Sequence, residues 1–121
     1  MRQLRIFLIE DDKILAKTTE WRVRKLGYDF SGCADNGKEA IGLVAELHPD
    51  IILMDITLHG EMDGITAAEI IGKQFGIPVI FLTASMDKET ISRAKGSGPK
   101  GYLVKPFDDK DLMAAIETAA K

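Results

Sequence analysis

Ile51-Ile52-Leu53-Met54-Asp55 is the stretch whose reading decides the fold. Four consecutive apolar residues are too few for a helix and suit a strand buried on both faces, as in a parallel sheet. The run ends on a carboxylate and passes directly into a Gly-containing loop, Ile56 to Gly64. In an open α/β sheet, ligands bind in the crevice beyond the carboxyl ends of the strands. Asp55 is therefore a candidate functional group by position, and an Asp that only ends a strand or caps a turn is the plain alternative.

The rest of the chain repeats this pattern. Ile6 to Ile9 reads as a first strand, followed by a helix from about Lys13 to Leu26 that stops at Gly27. Leu15, Thr19, Val23 and Leu26 share one helical face, and Ile14 and Trp21 fall on roughly the opposite side. Tyr28 to Cys33 is a less apolar strand suited to a sheet edge. Asn36 with Glu39 three residues on marks a second helix start, and His48-Pro49-Asp50 ends that helix. After the loop that follows Asp55, a third helix carries Ile65, Ala68, Ile71 and Phe75 up to Gly76 and Pro78. Val79 to Leu82 is the fourth strand and ends on Thr83. Asp87 is placed to cap a short helix, Lys88 to Lys95. Gly101 to Val104 is the fifth strand, ending at Lys105-Pro106, and Asp108 caps a last helix holding Leu112, Ala115, Ile116 and Ala119.

Five strands alternating with five helices predict a doubly wound parallel α/β sheet. Right-handed crossovers bring all five carboxyl ends to one edge. Glu10-Asp11-Asp12, Asp55, Thr83 and Lys105 each end a strand there. Any one of these endings is unremarkable, whereas four together point to a site for phosphate or a metal. Clustered carboxylates repel one another unless a cation compensates. An all-oxygen set without Cys or His favours a hard ion such as Mg²⁺. A carboxylate can also act as a nucleophile toward phosphorus, a reaction that depends on charge neutralisation at the phosphoryl oxygens.

The 121 residues predict one domain over 1–121, with 45% hydrophobic and 29% charged residues in the ordinary soluble range. A net charge of −3 and the lack of a Lys/Arg cluster argue against a nucleic-acid surface. The single cysteine, Cys33, excludes an internal disulfide and a Cys-based metal site. No stretch approaches a membrane span, so the expected location is cytoplasmic.

The chain resembles the receiver domains of two-component response regulators. The resemblance rests on Glu10-Asp11-Asp12, on Asp55 with Met62-Asp63-Gly64 behind it, on Thr83-Ala84, and on Tyr102-Leu103-Val104-Lys105-Pro106-Phe107. It covers essentially the whole chain. It implies a flavodoxin-like sheet with strand order 2-1-3-4-5, with Asp55 as phosphoacceptor. Glu10 and Asp11 become the acidic pair, Asp11 favoured as the direct Mg²⁺ ligand, and Thr57 lends a backbone carbonyl to the metal. Asp12, next to this pair, sits just inside the helix start. Thr83 and Lys105 bind the phosphoryl group, and the Lys105-Pro106 bond is expected to be cis. Tyr102 is the aromatic that turns inward when phosphate draws the Thr83 hydroxyl, an ordinary half-buried strand Tyr being the alternative.

The implied partners are a histidine kinase or histidine phosphotransfer protein, and an unidentified protein target on the fourth helix, fifth strand and fifth helix. Such a chain acts on itself alone, by self-phosphorylation and slow dephosphorylation. It is either a stand-alone switch or a receiver from a hybrid kinase or multidomain regulator. An Asp-nucleophile phosphatase is disfavoured because Asp55-Ile56-Thr57 lacks a second acid. A nucleotide-binding module is disfavoured because Glu10-Asp11-Asp12 replaces a phosphate loop. His59 stands where the family often has Pro and reads as a solvent-exposed loop residue. The Gly96-Ser97-Gly98-Pro99 turn departs from the family's usual end of the fourth helix. Ile14 and Trp21 form either a partner-facing apolar patch or a contact with a neighbouring loop.

Overall fold

In the computed structural model, which describes residues 3–58, 62–84 and 88–121, the apolar runs become the strands of one sheet. The elements follow as β1 (Arg5–Ile9), α1 (Lys13–Lys25), β2 (Asp29–Ala34), α2 (Gly37–Leu47), β3 (Ile51–Asp55), α3 (Gly64–Phe75), β4 (Val79–Thr83), α4 (Lys88–Gly96), β5 (Gly101–Val104) and α5 (Asp109–Ala119). The strands pair in parallel in the order β2-β1-β3-β4-β5, as the resemblance implies. His59 and Asp87 lie outside the described residues.

Strand character follows from burial. Every residue of β3 and β4 is buried, which is why both read as unbroken apolar runs. Alternate side chains feed two cores. Phe7, Ile9, Ile52, Met54 and Phe81 pack with Ala40 and Val44 of α2 and with Ile71 of α3. Ile6, Leu8, Leu53, Ile80 and Leu82 pack with Val23 of α1 and with Leu112 and Ile116 of α5. The edge strand β2 is only partly buried, and its register with β1 shifts between Ile6 and Phe7.

Caps set the helix starts. Asn36 accepts a hydrogen bond from the Glu39 amide at 2.9 Å, and Asp108 forms a reciprocal capping box with Asp111. The α2 helix ends on His48 in the left-handed region (φ 48°), and α3 ends on Gly76 (φ 65°). One residue of α1 departs from the helical wheel. Ile14 (78% exposed) and Trp21 (62%) do face outward, but Leu15, on the face expected to be buried, is itself 41% exposed. It lines a cleft toward Pro106 and Phe107 instead of reaching the sheet. Among the described residues, no helix is long and apolar enough to cross a membrane.

Candidate functional site

The hydrogen-bond ladder carries the strand ends to one edge. The Ile56 amide donates to the Leu82 carbonyl at 3.0 Å, and the Lys105 amide donates to the Thr83 carbonyl at 2.7 Å. Asp55, Thr83 and Lys105 are thus tied to neighbouring strands by backbone bonds, and Glu10 follows β1 beside them. The Lys105-Pro106 peptide is cis, as expected from the resemblance.

Asp55 is 4% exposed, and each carboxylate oxygen faces a different neighbour. Oδ1 accepts from both the amide and the hydroxyl of Thr57, each at 3.0 Å. Oδ2 lies 3.5 Å from the Lys105 ammonium. The amide bond two residues on is the geometry of an Asp that ends a strand in a turn, so the plain structural role and the site role coexist in one side chain. The resemblance implies a backbone carbonyl from Thr57; the contacts the structure shows from Thr57 to Asp55 are its amide and its side-chain hydroxyl.

Glu10 is 4% exposed, and its Oε1 lies 3.2 Å from the Lys105 ammonium. Burial, and then the Asp55 carboxylate, push the Glu10 carboxyl up to about 7, against the opposing effect of the Asp12 amide and the Lys105 charge. Glu10, Asp11 and Asp55 each present a carboxylate oxygen within 4.8 Å of the others. A compact all-oxygen set of three acids fits a hard divalent cation such as Mg²⁺. Asp12 is committed elsewhere: its Oδ1 accepts from the amides of Ile14 at 2.9 Å and Leu15 at 3.1 Å, capping α1.

Thr83 is 2% exposed at the end of β4. Tyr102 lies one strand over, its ring stacked on Phe81 with centroids 6.2 Å apart. Among the described residues the buried Tyr102 hydroxyl has no hydrogen-bond partner, and burial raises its ionisation above the usual phenol range. The residue as a whole is half-buried, packed against the core around Phe81.

Gly64 belongs to the site although its residue type alone does not announce it. A Cβ there would run into the Asp55 carbonyl oxygen and stand 3.1 Å from the Ile56 Cα. Only glycine lets α3 begin this close to the Asp55 backbone. The sole sequence signal was its place at the end of Met62-Asp63-Gly64. Asp63 caps α3 through the Thr66 amide at 2.7 Å and pairs with Arg93 of α4 at 3.0 Å.

Comparisons with known proteins agree with this geometry. The family model described as the response regulator receiver domain matches residues 6–117. The transcriptional regulatory protein PdtaR of Mycobacterium tuberculosis is 39% identical over 116 residues, covering 95% of this chain and 56% of that protein. The DNA-binding response regulator MtrA of Mycobacterium leprae is 36% identical, covering 96% of this chain and 50% of MtrA. The chain thus spans about half the length of these curated relatives. Among solved structures, the signal receiver domain of a modulated diguanylate cyclase from Desulfovibrio desulfuricans superposes with a TM-score of 0.93 at 39% identity, covering 98% of this chain and 94% of that one. The Vibrio cholerae chemotaxis protein CheY4 shares the fold, with a TM-score of 0.88 at 21% identity. An acidic edge built around Asp55, the order β2-β1-β3-β4-β5 and a family match over nearly the whole length lead to one conclusion: this chain belongs to the receiver domains of two-component response regulators.

Proposed function

We propose that the chain is a phosphoacceptor switch in a two-component phosphorelay, with Asp55 taking a phosphoryl group from a phosphohistidine. The observation that carries this reading is the convergence at Asp55. Its Oδ2 lies 3.5 Å from a lysine ammonium, inside a set of three acids within 4.8 Å, at the carboxyl edge of the sheet. An Asp55 oxygen attacks phosphorus while the P–N bond to the donor imidazole breaks, leaving an aspartyl phosphate and a histidine that takes up a proton. Mg²⁺, held by Glu10, Asp11, Asp55 and the Thr57 carbonyl, would supply positive charge opposite the phosphoryl oxygens. Lys105 supplies a compact charge from the other side, and the Thr83 hydroxyl donates to a phosphoryl oxygen.

The response follows from Tyr102. Its buried hydroxyl has no hydrogen-bond partner among the described residues, so its position is sensitive to what happens at Thr83 one strand away. Phosphate that favours one arrangement of Thr83 and Tyr102 shifts the population of the α4–β5–α5 face, where a protein target reads it. The net charge of −3 favours a protein partner over nucleic acid. The chain turns over no substrate but its own phosphate. Its phosphoryl source is a histidine kinase or a histidine phosphotransfer protein, whether the chain works alone or within a larger regulator.

The test is transfer from a phosphorylated histidine phosphotransfer domain in Mg²⁺. Label should pass to the wild type and not to Asp55→Asn. Label retained by Asp55→Asn would remove Asp55 from this role.

A further inference from the structure

Arg22 stands in the last turns of α1, with its side chain 17% exposed, and its guanidinium is directed wholly at one neighbouring segment. Nε donates to Asp109 Oδ1 at 2.8 Å, and Nη2 donates to the Phe107 carbonyl at 2.7 Å. Its Cζ lies 4.6 Å from the centroid of the Phe107 ring. Lys25, one turn on, takes the other Asp109 oxygen at 2.5 Å. These contacts fall two and four residues after Lys105. Upstream, the same segment is pinned by the Lys105 amide on the Thr83 carbonyl at 2.7 Å. The turn from β5 to α5 is thus anchored to β4 at one end and to α1 at the other.

We propose that Arg22 is a positioning residue for Lys105, acting through Phe107 and Asp109. The inference rests on the reading of Lys105 as the ligand of a phosphoryl group on Asp55. The Lys105 ammonium sits between two buried acids, 3.2 Å from Glu10 and 3.5 Å from Asp55, and where its backbone is held sets how far the stem must reach to keep it there. A cleft of about 470 Å³ opens beside this segment, lined by Leu15, Thr19, Arg22, Lys105 and Phe107 among others. Without the clamp, the turn has space into which to shift. Displacement of a positioned group by about 1 Å is enough to cost up to roughly a hundredfold in a reaction that depends on placement. The planar fork suits this task because it holds a carbonyl and a carboxylate at once while stacking on a ring, which a lysine cannot reproduce.

The experiment titrates beryllofluoride, a phosphoryl mimic, into the whole chain at saturating Mg²⁺. Calorimetry reads affinity and amide hydrogen exchange reads the backbone. Arg22→Met keeps the aliphatic stem and should weaken beryllofluoride roughly tenfold. Mg²⁺ affinity alone should stay within about twofold, the scatter of independent sites. The Lys105 amide should exchange faster, with β1 and β3 amides unchanged. Arg22→Lys should fall between wild type and Arg22→Met. Unaltered beryllofluoride affinity in Arg22→Met, even with a lowered melting temperature, would reduce Arg22 to a structural staple and overturn the proposal. Weakened affinity with unchanged exchange at Lys105 would overturn it as well, because the effect would bypass the segment. A wild type that binds no beryllofluoride would remove the phosphoacceptor reading itself, and this inference with it.

Discussion

Gly64 and Asp55 approach so closely that no side chain fits between them: a Cβ on residue 64 would collide with the Asp55 carbonyl oxygen. The atoms in the way are backbone, so relief requires moving either the start of α3 or the end of β3. Gly64→Ala should destabilise the fold by about 1–3 kcal/mol, the usual cost of overpacking. It should weaken Mg²⁺ binding in parallel, because Asp55 moves with its backbone. Urea unfolding and calorimetry check both, and an unshifted midpoint would contradict the close approach.

Glu10 gives the site a pH dependence whose sign is determined. Its carboxyl is raised to about 7 in the fold from an ordinary 4.5, through burial and then the Asp55 carboxylate. A group raised in this way stabilises the apo fold fully below pH 4.5, and that contribution is lost as pH rises through about 7. A metal needs the ionised form, so Mg²⁺ affinity should move oppositely. It should rise by up to about tenfold per pH unit below the raised value, as one proton is displaced, and level off above it. Glu10→Gln should flatten both trends. Calorimetric Mg²⁺ titrations between pH 5 and 8 decide, and a flat wild-type profile would contradict the assignment.

Lys105 balances two buried acids, 3.2 Å from Glu10 and 3.5 Å from Asp55. Lys105→Ala removes the cation that competes with a metal for these carboxylates. Mg²⁺ should therefore bind at least as tightly as in wild type. The response to a phosphoryl mimic should be lost, read as chemical-shift changes at Thr83 and Tyr102 on adding beryllofluoride. An undiminished response would take Lys105 out of the switch.

Asp12 separates capping from the metal set. Because its Oδ1 holds the Ile14 and Leu15 amides, Asp12→Ala should cost about 1 kcal/mol, the usual worth of an N-cap. Mg²⁺ affinity should change little. A large loss of Mg²⁺ binding with intact stability would place Asp12 in the metal set instead.

The sheet and most of the site were legible because both depend on local pattern. Ile51 to Met54 and Val79 to Leu82 are buried on both faces, so their apolar runs mark the strands, and Asp55, Thr83 and Lys105 follow as strand ends. Asn36 and Asp108 announced their helices because a cap is a contact between near neighbours. What escaped depends on distance in space. Gly64 matters through its packing on Asp55 and Ile56, and Arg22 through Phe107 and Asp109 at the far end of the chain. Periodicity placed Leu15 on the inner face, yet the open cleft beside Phe107 leaves it 41% exposed. The shift in pairing opposite Phe7, between Phe30 and Gly32, likewise has no signal in alternation alone.

The proposed switch stands on Asp55 accepting phosphate with the help of a divalent cation. Intact-mass spectrometry after incubation with acetyl phosphate, with and without Mg²⁺, on wild type and Asp55→Asn tests it most directly. A single Mg²⁺-dependent, hydroxylamine-labile phosphoryl adduct is expected on the wild type and none on Asp55→Asn. An adduct that forms equally without Mg²⁺, or that persists in Asp55→Asn, would contradict it.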